Sequence, residues 1–534
     1  MVLPNSSIIN KPAMTRGLLS IAIASSLLLV GCNDDDNDHY VSAPSASAKF
    51  IKTFTANDIN SSIGLGSTAT PVAKCGVTIE KVTYDTKGAA DEDTNATAAL
   101  MLPTGDAAEC KGDRPVLLYA HGTTTDKGYD FAQVGNAKNP AVREANLIAA
   151  NFAAQGYIVV APNYAGYDES KLDYHPYLVA QQQSTDMVDA LDSARSIIER
   201  KKRANDANYS KIDDSGKLFL SGYSQGGHVA MATARKLEQQ GKPITAMAPA
   251  SGPYALAAFG DFIFAGNVNL GATRFAPLLA IGLQKKYPNI YSSRSEIFSA
   301  DYANTQFPSL LSFEELVAAG QLPRFALFEA KPTSDPLLNQ LPDSELPFAF
   351  LGFAAEKYLI KTDFRAMYMA DALQNPDSLT STTPTGMPAA NPKSNIRKAL
   401  KDNDLRGYKP KVPTLLCGGH RDPTVYYDLN TGSMLAILKQ YNDNNSAANL
   451  NITVLDVDNS DEADRGVPTI APLSQSALAN PWLQNSTIPN IQTRFNASVT
   501  DAGNSFLSSY HGGLVATSCT EATREFFEQN FNQS

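Results

Sequence analysis

The sequence predicts an α/β protein with a mostly parallel central sheet that helices flank, interrupted by one helical insertion. First, short apolar strands alternate with amphipathic helices over residues 114–250. Continuous apolar strands are typical of parallel sheets that are covered on both faces. Second, strands of the same kind return at 412–457. Third, residues 256–406 break this rhythm with aromatic-rich helical stretches and Pro- and Thr-rich joints, which indicates an insert between two strands of one sheet.

The individual elements follow from local patterns in chain order. Segments 76–86 and 95–102 are extended around a Gly- and Asp-rich turn, which predicts a hairpin. Further strands are predicted at short apolar runs: 114–119, 157–162, 217–220, 244–250, 412–417 and 451–457. Helices are predicted at 142–155, 177–203, 225–239 and 520–531. We therefore expect an α/β core at 49–255 and 407–534, with the helical insert, or cap, at 256–406.

The N-terminus is predicted to be a lipoprotein signal peptide, residues 1–31. Basic residues precede an apolar run at 17–30, which is too short to span a bilayer comfortably. The run ends in Leu-Val-Gly-Cys, which resembles the bacterial lipobox and implies cleavage before Cys32 and lipidation of its thiol. An ordinary signal peptide with an incidental cysteine is the alternative. Residues 32–48 are rich in Asp, Ser and Ala and are expected to be a solvated tether that leaves an exported protein anchored to a membrane.

The charge pattern argues against a nucleic-acid partner. The formal net charge is −10, from 44 Lys and Arg against 54 Asp and Glu, whereas a polyanion would require a basic face. The sequence contains no Cys and His cluster at metal-ligand spacing, so we expect no zinc site.

Residues 222–226, Gly-Tyr-Ser-Gln-Gly, carry the strongest chemical signal. They match the G-x-S-x-G nucleophile elbow, in which a tight strand-to-helix turn raises the serine hydroxyl above the sheet. The pentapeptide alone is a weak signal, but here it follows a predicted strand and precedes a predicted helix, as the elbow requires. Ser224 is therefore the predicted nucleophile.

A serine hydroxyl needs a general base, and the chain has six histidines. Five of them lie in less suitable places: the tether, the predicted oxyanion loop, the start of a helix, the helix after the nucleophile, and the strand end beside the candidate acid (His39, His121, His175, His228 and His420). His511 follows the last predicted strand and precedes the last helix, where this fold class carries its base. His511 is therefore the predicted base.

The acid of the site should follow a late strand. Asp422 lies just after the strand at 412–417, at the strand end where catalytic loops gather, and it would orient the base and stabilise its imidazolium form. Three other carboxyls remain rivals for this role: Asp428, Asp456 and Asp458. The chain order Ser224, Asp422, His511 is the order found in α/β-hydrolases.

Two backbone N–H groups should form the oxyanion hole. One is expected from Gln225, directly after the nucleophile. The other is expected from the loop at 121–124, with Thr123 as the chosen donor.

The cysteine spacing predicts two disulfides. With Cys32 lipidated, four cysteines remain, and four allow three connectivities. Cys75 opens the first hairpin strand and Cys110 follows the second, so antiparallel pairing brings them together. Cys417 ends the acid-bearing strand and Cys519 begins the helix after the base, so a bridge between them would hold the acid and base loops close.

The chain resembles the α/β-hydrolase superfamily over roughly 75–255 and 410–530, and more closely the secretory lipase family of the lipase A type. The likeness lies in APNYAG at 161–166, HPYL at 175–178 and GYSQGGH at 222–228. Asn163 stands where that family commonly has Asp. The resemblance implies lipase or esterase activity on acyl esters without a cofactor, and a helical cap before the acid strand.

The sequence thus favours a serine carboxylic-ester hydrolase, and two alternatives stay open. They are a serine peptidase of the same architecture and a non-catalytic binding lipoprotein. The apolar clusters of the insert at 259–264, 275–283 and 348–353 are expected to form an acyl pocket over Ser224, unless they only form the insert's own core. A second insertion near 460–498 extends the loop before the base. The natural ester and the oligomeric state do not follow from the sequence.

Overall fold

The computed structural model of the protein describes residues 46–63, 70–344, 346–379, 386–445, 450–460 and 487–531. Within them, one sheet of nine strands has the order β1-β2-β3-β5-β4-β6-β7-β10-β11. The strands are β1 (Ser47–Phe54), β2 (Gly76–Lys87), β3 (Asp93–Thr104), β4 (Gly112–Ala120), β5 (Ile158–Pro162), β6 (Ile212–Tyr223), β7 (Ala246–Ala250), β8 (Phe328–Glu329), β9 (Phe353–Ala354), β10 (Thr414–Gly418) and β11 (Ile452–Asp456). β8 and β9 form a separate two-stranded sheet.

Strand direction divides the large sheet in two. Neighbouring strands are antiparallel at one end of the sheet, where the order is β1, β2, β3, β5. The other neighbouring pairs, in the order β5, β4, β6, β7, β10, β11, are parallel. The prediction of a mostly parallel sheet flanked by helices is confirmed. The predicted hairpin at 76–86 and 95–102 is formed by β2 and β3.

The helices fill the connections between these strands. They are α1 (Ala56–Asp58), α2 (Val142–Asn151), α3 (Ala180–Arg203), α4 (Gln225–Gln239), α5 (Leu256–Phe264), α6 (Ala272–Lys286), α7 (Phe313–Ala318), α8 (Pro336–Gln340), α9 (Thr362–Gln374), α10 (Asn395–Asp402), α11 (Ser433–Asn444), α12 (Thr487–Ala502), α13 (Phe506–Ser509) and α14 (Ala516–Phe531). α3 and α4 pack on each other and on the sheet, and α14 packs on β6, β7 and β10. No described helix combines the length and apolar character that crossing a bilayer requires.

The insert, residues 256–406, follows β7 and contains α5 to α10 with β8 and β9. Buried ion pairs join its parts. Arg406 is fully buried and binds Asp377 through two N–O contacts of 2.9 and 2.7 Å. Arg397 binds Asp261 in the same bidentate way, at 2.9 and 2.6 Å. Because breaking such a pair leaves a buried charge uncompensated, these contacts favour a single packing of the insert.

Two elements differ from the sequence-based prediction. β1 was not predicted, and it takes in the last two residues of the predicted tether at 32–48. The second insertion, near 460–498, includes the start of α12. The predicted signal peptide, Cys32, His39 and residues 461–486 lie outside the described residues.

Both predicted disulfides are present. Cys75 bonds to Cys110, with Cα atoms 5.6 Å apart, beside the hairpin. Cys417 bonds to Cys519, with Cα atoms 5.7 Å apart, so β10 is joined to α14 across 102 residues of sequence. The second bridge joins the strand that precedes the candidate acid to the helix that follows the candidate base.

Candidate active site

Ser224 lies on a strained turn between β6 and α4. Its backbone has φ of 59° and ψ of −122°, a region that residues with a Cβ seldom occupy and that structures retain at functional positions. A Cβ atom at Gly226 would overlap the carbonyl oxygen of Ala120, and one at Gly222 would overlap that of Gly226. The glycines of the motif are therefore required by close backbone packing around the serine.

The structure brings the three predicted polar side chains into one hydrogen-bonded row. The Ser224 hydroxyl lies 2.8 Å from Nε2 of His511, and Nδ1 of His511 donates to the Asp422 carboxylate at 2.6 Å. The Asp422 side chain is 1% exposed and that of His511 is 12% exposed. This arrangement can move a proton from the hydroxyl to an imidazole that a buried carboxylate orients.

Hydrogen bonds that involve the backbone position Asp422 and His511. Oδ1 of Asp422 accepts from the N–H groups of Thr424 and Val425, at 2.8 and 3.1 Å, which leaves Oδ2 for the imidazole. The Tyr223 hydroxyl donates to the carbonyl of His511 at 2.6 Å. His511 lies in a helical turn, Tyr510–Val515, that runs into α14, rather than in an open loop.

The rival carboxyls lie in other contacts. Asp456 accepts from His420 Nδ1 at 2.8 Å, and His420 Nε2 lies 3.1 Å from the Ser460 hydroxyl. These contacts make a second Ser-His-Asp row. Asp458 binds Arg421 Nε and the Tyr510 hydroxyl, each at 2.6 Å.

Through these contacts, Asp458 connects two segments of the candidate site. It joins the residue before Asp422 to the residue before His511, so it ties the acid loop to the base turn. Asp428, the third rival, is buried in the helical turn before α11.

The loop at 121–124 is fixed by a partly buried carboxyl that the sequence analysis missed. Glu144 accepts from the Gly122 N–H at 3.0 Å and from the hydroxyls of Tyr119 and Tyr129 at 2.8 and 3.0 Å. Burial raises the pKa of Glu144. Because the Gly122 N–H is already engaged, the N–H of Thr123 is the better candidate of the two for an oxyanion.

The remaining described histidines stabilise structure. His121 is stacked between Tyr129 and Tyr164, at 4.4 and 4.2 Å between ring centroids, and burial lowers its pKa to about 4. His175 accepts from the Gln225 side-chain amide at 2.7 Å, and burial lowers its pKa to about 3. His228 binds the carbonyl of Asn403 at 2.8 Å and so links α4 to the insert.

Two spaces open beside Ser224. One is an apolar cavity of about 100 Å³ whose walls come mainly from the insert. Its aromatic and aliphatic walls include Phe259, Ile263, Phe275, Leu279, Leu327 and Phe364. The clusters at 259–264 and 275–283 thus line it, whereas the cluster at 348–353 does not. Phe348 packs instead in a separate core with Tyr426, and Phe350 is 72% exposed.

The other space is an open cleft of about 720 Å³ on which Ser224, His511 and Thr123 also border. Its walls mix apolar and polar side chains, and they carry three arginines and three carboxyls: Arg143, Arg274, Arg324, Asp126, Glu144 and Glu314. Among the described residues no three His, Cys, Asp or Glu side chains are grouped to hold a metal ion.

Asn163, the departure from the lipase A pattern, is a buried structural residue. Its side chain accepts from the Phe131 N–H at 2.7 Å and donates to Thr97 and Asp130 at 2.9 and 3.2 Å. It does not line the cavity or the cleft.

Comparison with solved structures gives the class of the fold. The rice cell wall degrading esterase LipA from Xanthomonas oryzae is similar, with a TM-score of 0.59 and 26% identity over 85% of this chain and 98% of that chain. Its ligand-bound form gives a TM-score of 0.58 and 25% identity, over 78% and 92%. A proposed hydrolase from Legionella pneumophila shares the fold, with a TM-score of 0.56 and 17% identity over 91% and 98%.

Sequence comparison matches no protein-family model and no curated protein. The predictions of an α/β-hydrolase fold and of a lipase- or esterase-like relative are confirmed by the structural matches. The findings support a hydrolase of the α/β fold, of the kind to which esterases belong.

Proposed function

We propose that this protein is a serine carboxylic-ester hydrolase that acts through an acyl-enzyme on Ser224. The observation that carries the proposal is the row from the Ser224 hydroxyl through His511 to Asp422, with contacts of 2.8 and 2.6 Å, on a strained elbow. A structural serine would not need this backbone strain, an imidazole acceptor and a buried carboxylate together.

The reaction follows from these contacts. Oγ of Ser224 attacks the acyl carbon while His511 Nε2 takes its proton, and the Asp422 carboxylate stabilises the imidazolium. The N–H groups of Gln225 and Thr123 stabilise the negative oxygen of the tetrahedral intermediate. His511 then returns the proton to the leaving alcohol. In the second half, His511 takes a proton from water as the resulting hydroxide attacks the acyl carbon. His511 then gives this proton to Oγ of Ser224 as the acyl–Oγ bond breaks and the carboxylic acid leaves.

The two spaces beside Ser224 suggest how an ester would lie. The narrow apolar cavity suits an acyl chain, because such a pocket stabilises hydrocarbon by removing it from water. The open cleft, with its charged side chains, suits the alcohol portion, which must leave and let water enter. The similarity to an esterase described as degrading rice cell wall is consistent with a polar alcohol portion.

Export and lipid anchoring are part of the proposal. Two buried disulfides fit an oxidising compartment, and the Leu-Val-Gly-Cys sequence supplies the lipidation signal at Cys32. The full chain expressed in a bacterium with a lipoprotein pathway should appear in the membrane fraction. In Cys32→Ser, the N-terminal peptide should carry no lipid, and a wild-type N-terminal peptide without lipid would contradict the anchor.

The experiment that tests the proposed reaction compares p-nitrophenyl esters with aminoacyl p-nitroanilides at matched concentrations. Ester hydrolysis without anilide hydrolysis is expected. Turnover of anilides alone would instead indicate a peptidase. No turnover of either substrate, together with no labelling by a fluorophosphonate, would indicate a binding protein on a hydrolase scaffold.

A further inference from the structure

Arg274 is a cation of the open cleft that the proposed reaction does not use. It belongs to the first turn of α6 and lines the cleft together with Ser224 and His511. Its guanidinium lies over the ring of Phe313, 4.4 Å from the centroid. Its Nε is buried and, within the described residues, has no hydrogen-bond partner.

The neighbouring arginines of the cleft are placed differently. Arg324 is neutralised by Glu314, which accepts from both terminal nitrogens at 3.0 and 2.7 Å. Arg143 is exposed, so water and salt screen its charge. Arg274 combines partial burial with the lack of an ion pair to any residue that the structure describes.

The carboxyls nearest to this guanidinium already have other donors. Asp126 and Glu314 favour the charged form of Arg274, but neither forms an ion pair with it. Glu314 is held by Arg324, and Asp126 accepts from the Thr124 hydroxyl at 3.3 Å. Burial lowers the pKa of Arg274, which reflects the loss of water around its charge.

A guanidinium that has lost water and has no ion-pair partner can bind an anion. Its planar fork of donors matches the oxygens of a carboxylate or phosphate, and hydrogen bonds between charged groups are stronger than neutral ones. Contact with the Phe313 ring holds the fork in place, and Arg274 lines the open cleft. An anion that reached it would compensate a charge that the protein leaves unpaired.

We propose that Arg274 binds an anionic oxygen group, a carboxylate or a phosphate, on the alcohol portion of the ester substrate. We assign the anionic group to the alcohol portion because Arg274 lines the cleft and does not line the apolar cavity. The inference rests on the proposed function, and it narrows the substrate class to esters whose alcohol portion is acidic.

The test uses pairs of butyrate esters that differ in charge. 4-Carboxyphenyl butyrate is compared with the neutral 4-carbamoylphenyl butyrate, and 4-phosphooxyphenyl butyrate with the neutral 4-methoxyphenyl butyrate. The measured quantity is the ratio of kcat/KM for the anionic ester to that for its neutral partner. Because a charge-assisted hydrogen bond favours the anionic ester, we expect a ratio of about 10 to 100 in the wild type, for whichever of the two ester pairs contains the preferred anion.

Variants of Arg274 test whether this residue causes the preference for the anionic ester. Arg274→Gln should bring the ratio close to one, and Arg274→Lys should give an intermediate ratio because the charge stays but the fork is lost. Arg143→Gln is the matched control, since Arg143 lines the same cleft but is exposed and leaves the Arg324–Glu314 pair intact; it should keep the wild-type ratio.

Three results would overturn the inference. They are a wild-type ratio near one in both arms, a ratio that survives in both Arg274 variants, and a ratio that is lost in Arg143→Gln instead. If the wild type hydrolyses none of the four esters, the proposed function itself fails, and that outcome is distinct from the other three.

Discussion

The two spaces beside Ser224 differ in polarity and in the part of the chain that forms them. The apolar cavity is formed mainly by the insert, whereas the cleft takes much of its wall from core segments around β4, α2 and α14. The proposed reacting groups, Ser224, His511 and Asp422, come from the core. The difference suggests that the core performs the chemistry, the insert selects the acyl group, and both select the alcohol.

The chemistry of the core is tested most strongly by Ser224→Ala. We expect kcat for ester hydrolysis to fall by about 10⁶, because the nucleophile of the acyl-enzyme is lost. Ser460→Ala is the matched control, since Ser460 belongs to the second Ser-His-Asp row, and it should leave kcat nearly unchanged. Residual activity of Ser224→Ala above about a tenth of wild type would contradict the assignment.

The acid is tested by comparing two buried aspartates of the same region. Asp422→Asn should lower kcat by about 10⁴, because asparagine favours the wrong tautomer of His511. Asp458→Asn should lower kcat by about tenfold, since it loosens the link between the acid loop and the base turn. If Asp458→Asn or Asp456→Asn has the larger effect, the acid is assigned to the wrong residue.

The selectivity of the insert is tested by filling its cavity. Leu279→Trp should reduce kcat/KM for long acyl chains relative to short ones by about tenfold, since hydrophobic pockets discriminate by about 10- to 200-fold per methylene-sized change. Phe350→Trp is the control, because Phe350 is 72% exposed and does not line the cavity. Equal chain-length profiles in wild type and Leu279→Trp would show that the acyl site lies elsewhere.

The disulfides are expected to have the smallest effect on catalysis. Replacing either pair by serines should lower the free energy of unfolding by about 2–4 kcal/mol, measured by chemical denaturation of the folded variants. The Cys75–Cys110 variant should keep the wild-type kcat, because this bridge lies beside the hairpin. A loss of kcat is expected only for the Cys417–Cys519 variant, whose bridge joins the acid strand to the helix after the base.

Much of the core could be predicted from local sequence patterns. α4 has the predicted bounds, Gln225–Gln239, because its start is fixed by the elbow motif. The continuous apolar runs predicted the central strands, because strands of a parallel sheet are buried on both faces and these runs are too short for typical helices. The proximity of Ser224, Asp422 and His511 was predicted from the elbow motif, from the places of the acid and the base relative to the strands and helices, and from chain order.

What could not be predicted depends on contacts distant in sequence. β1 has mostly exposed or half-exposed residues, so its sequence carries no clear apolar signal, and it is defined by its pairing with β2. The hydrogen bond from the Gly122 N–H to the Glu144 carboxylate joins a helix to a loop 22 residues earlier. The cluster at 348–353 has the composition of a pocket wall, but its packing with Tyr426 is decided by the tertiary structure.

The most direct test of the account is the site of covalent capture. The wild type is treated with a fluorophosphonate, digested and mapped by mass spectrometry. We predict one adduct per chain, on the peptide that contains Ser224, and loss of that adduct in His511→Ala. An adduct on Ser460, or ester hydrolysis by wild type without any adduct at Ser224, would contradict the central claim.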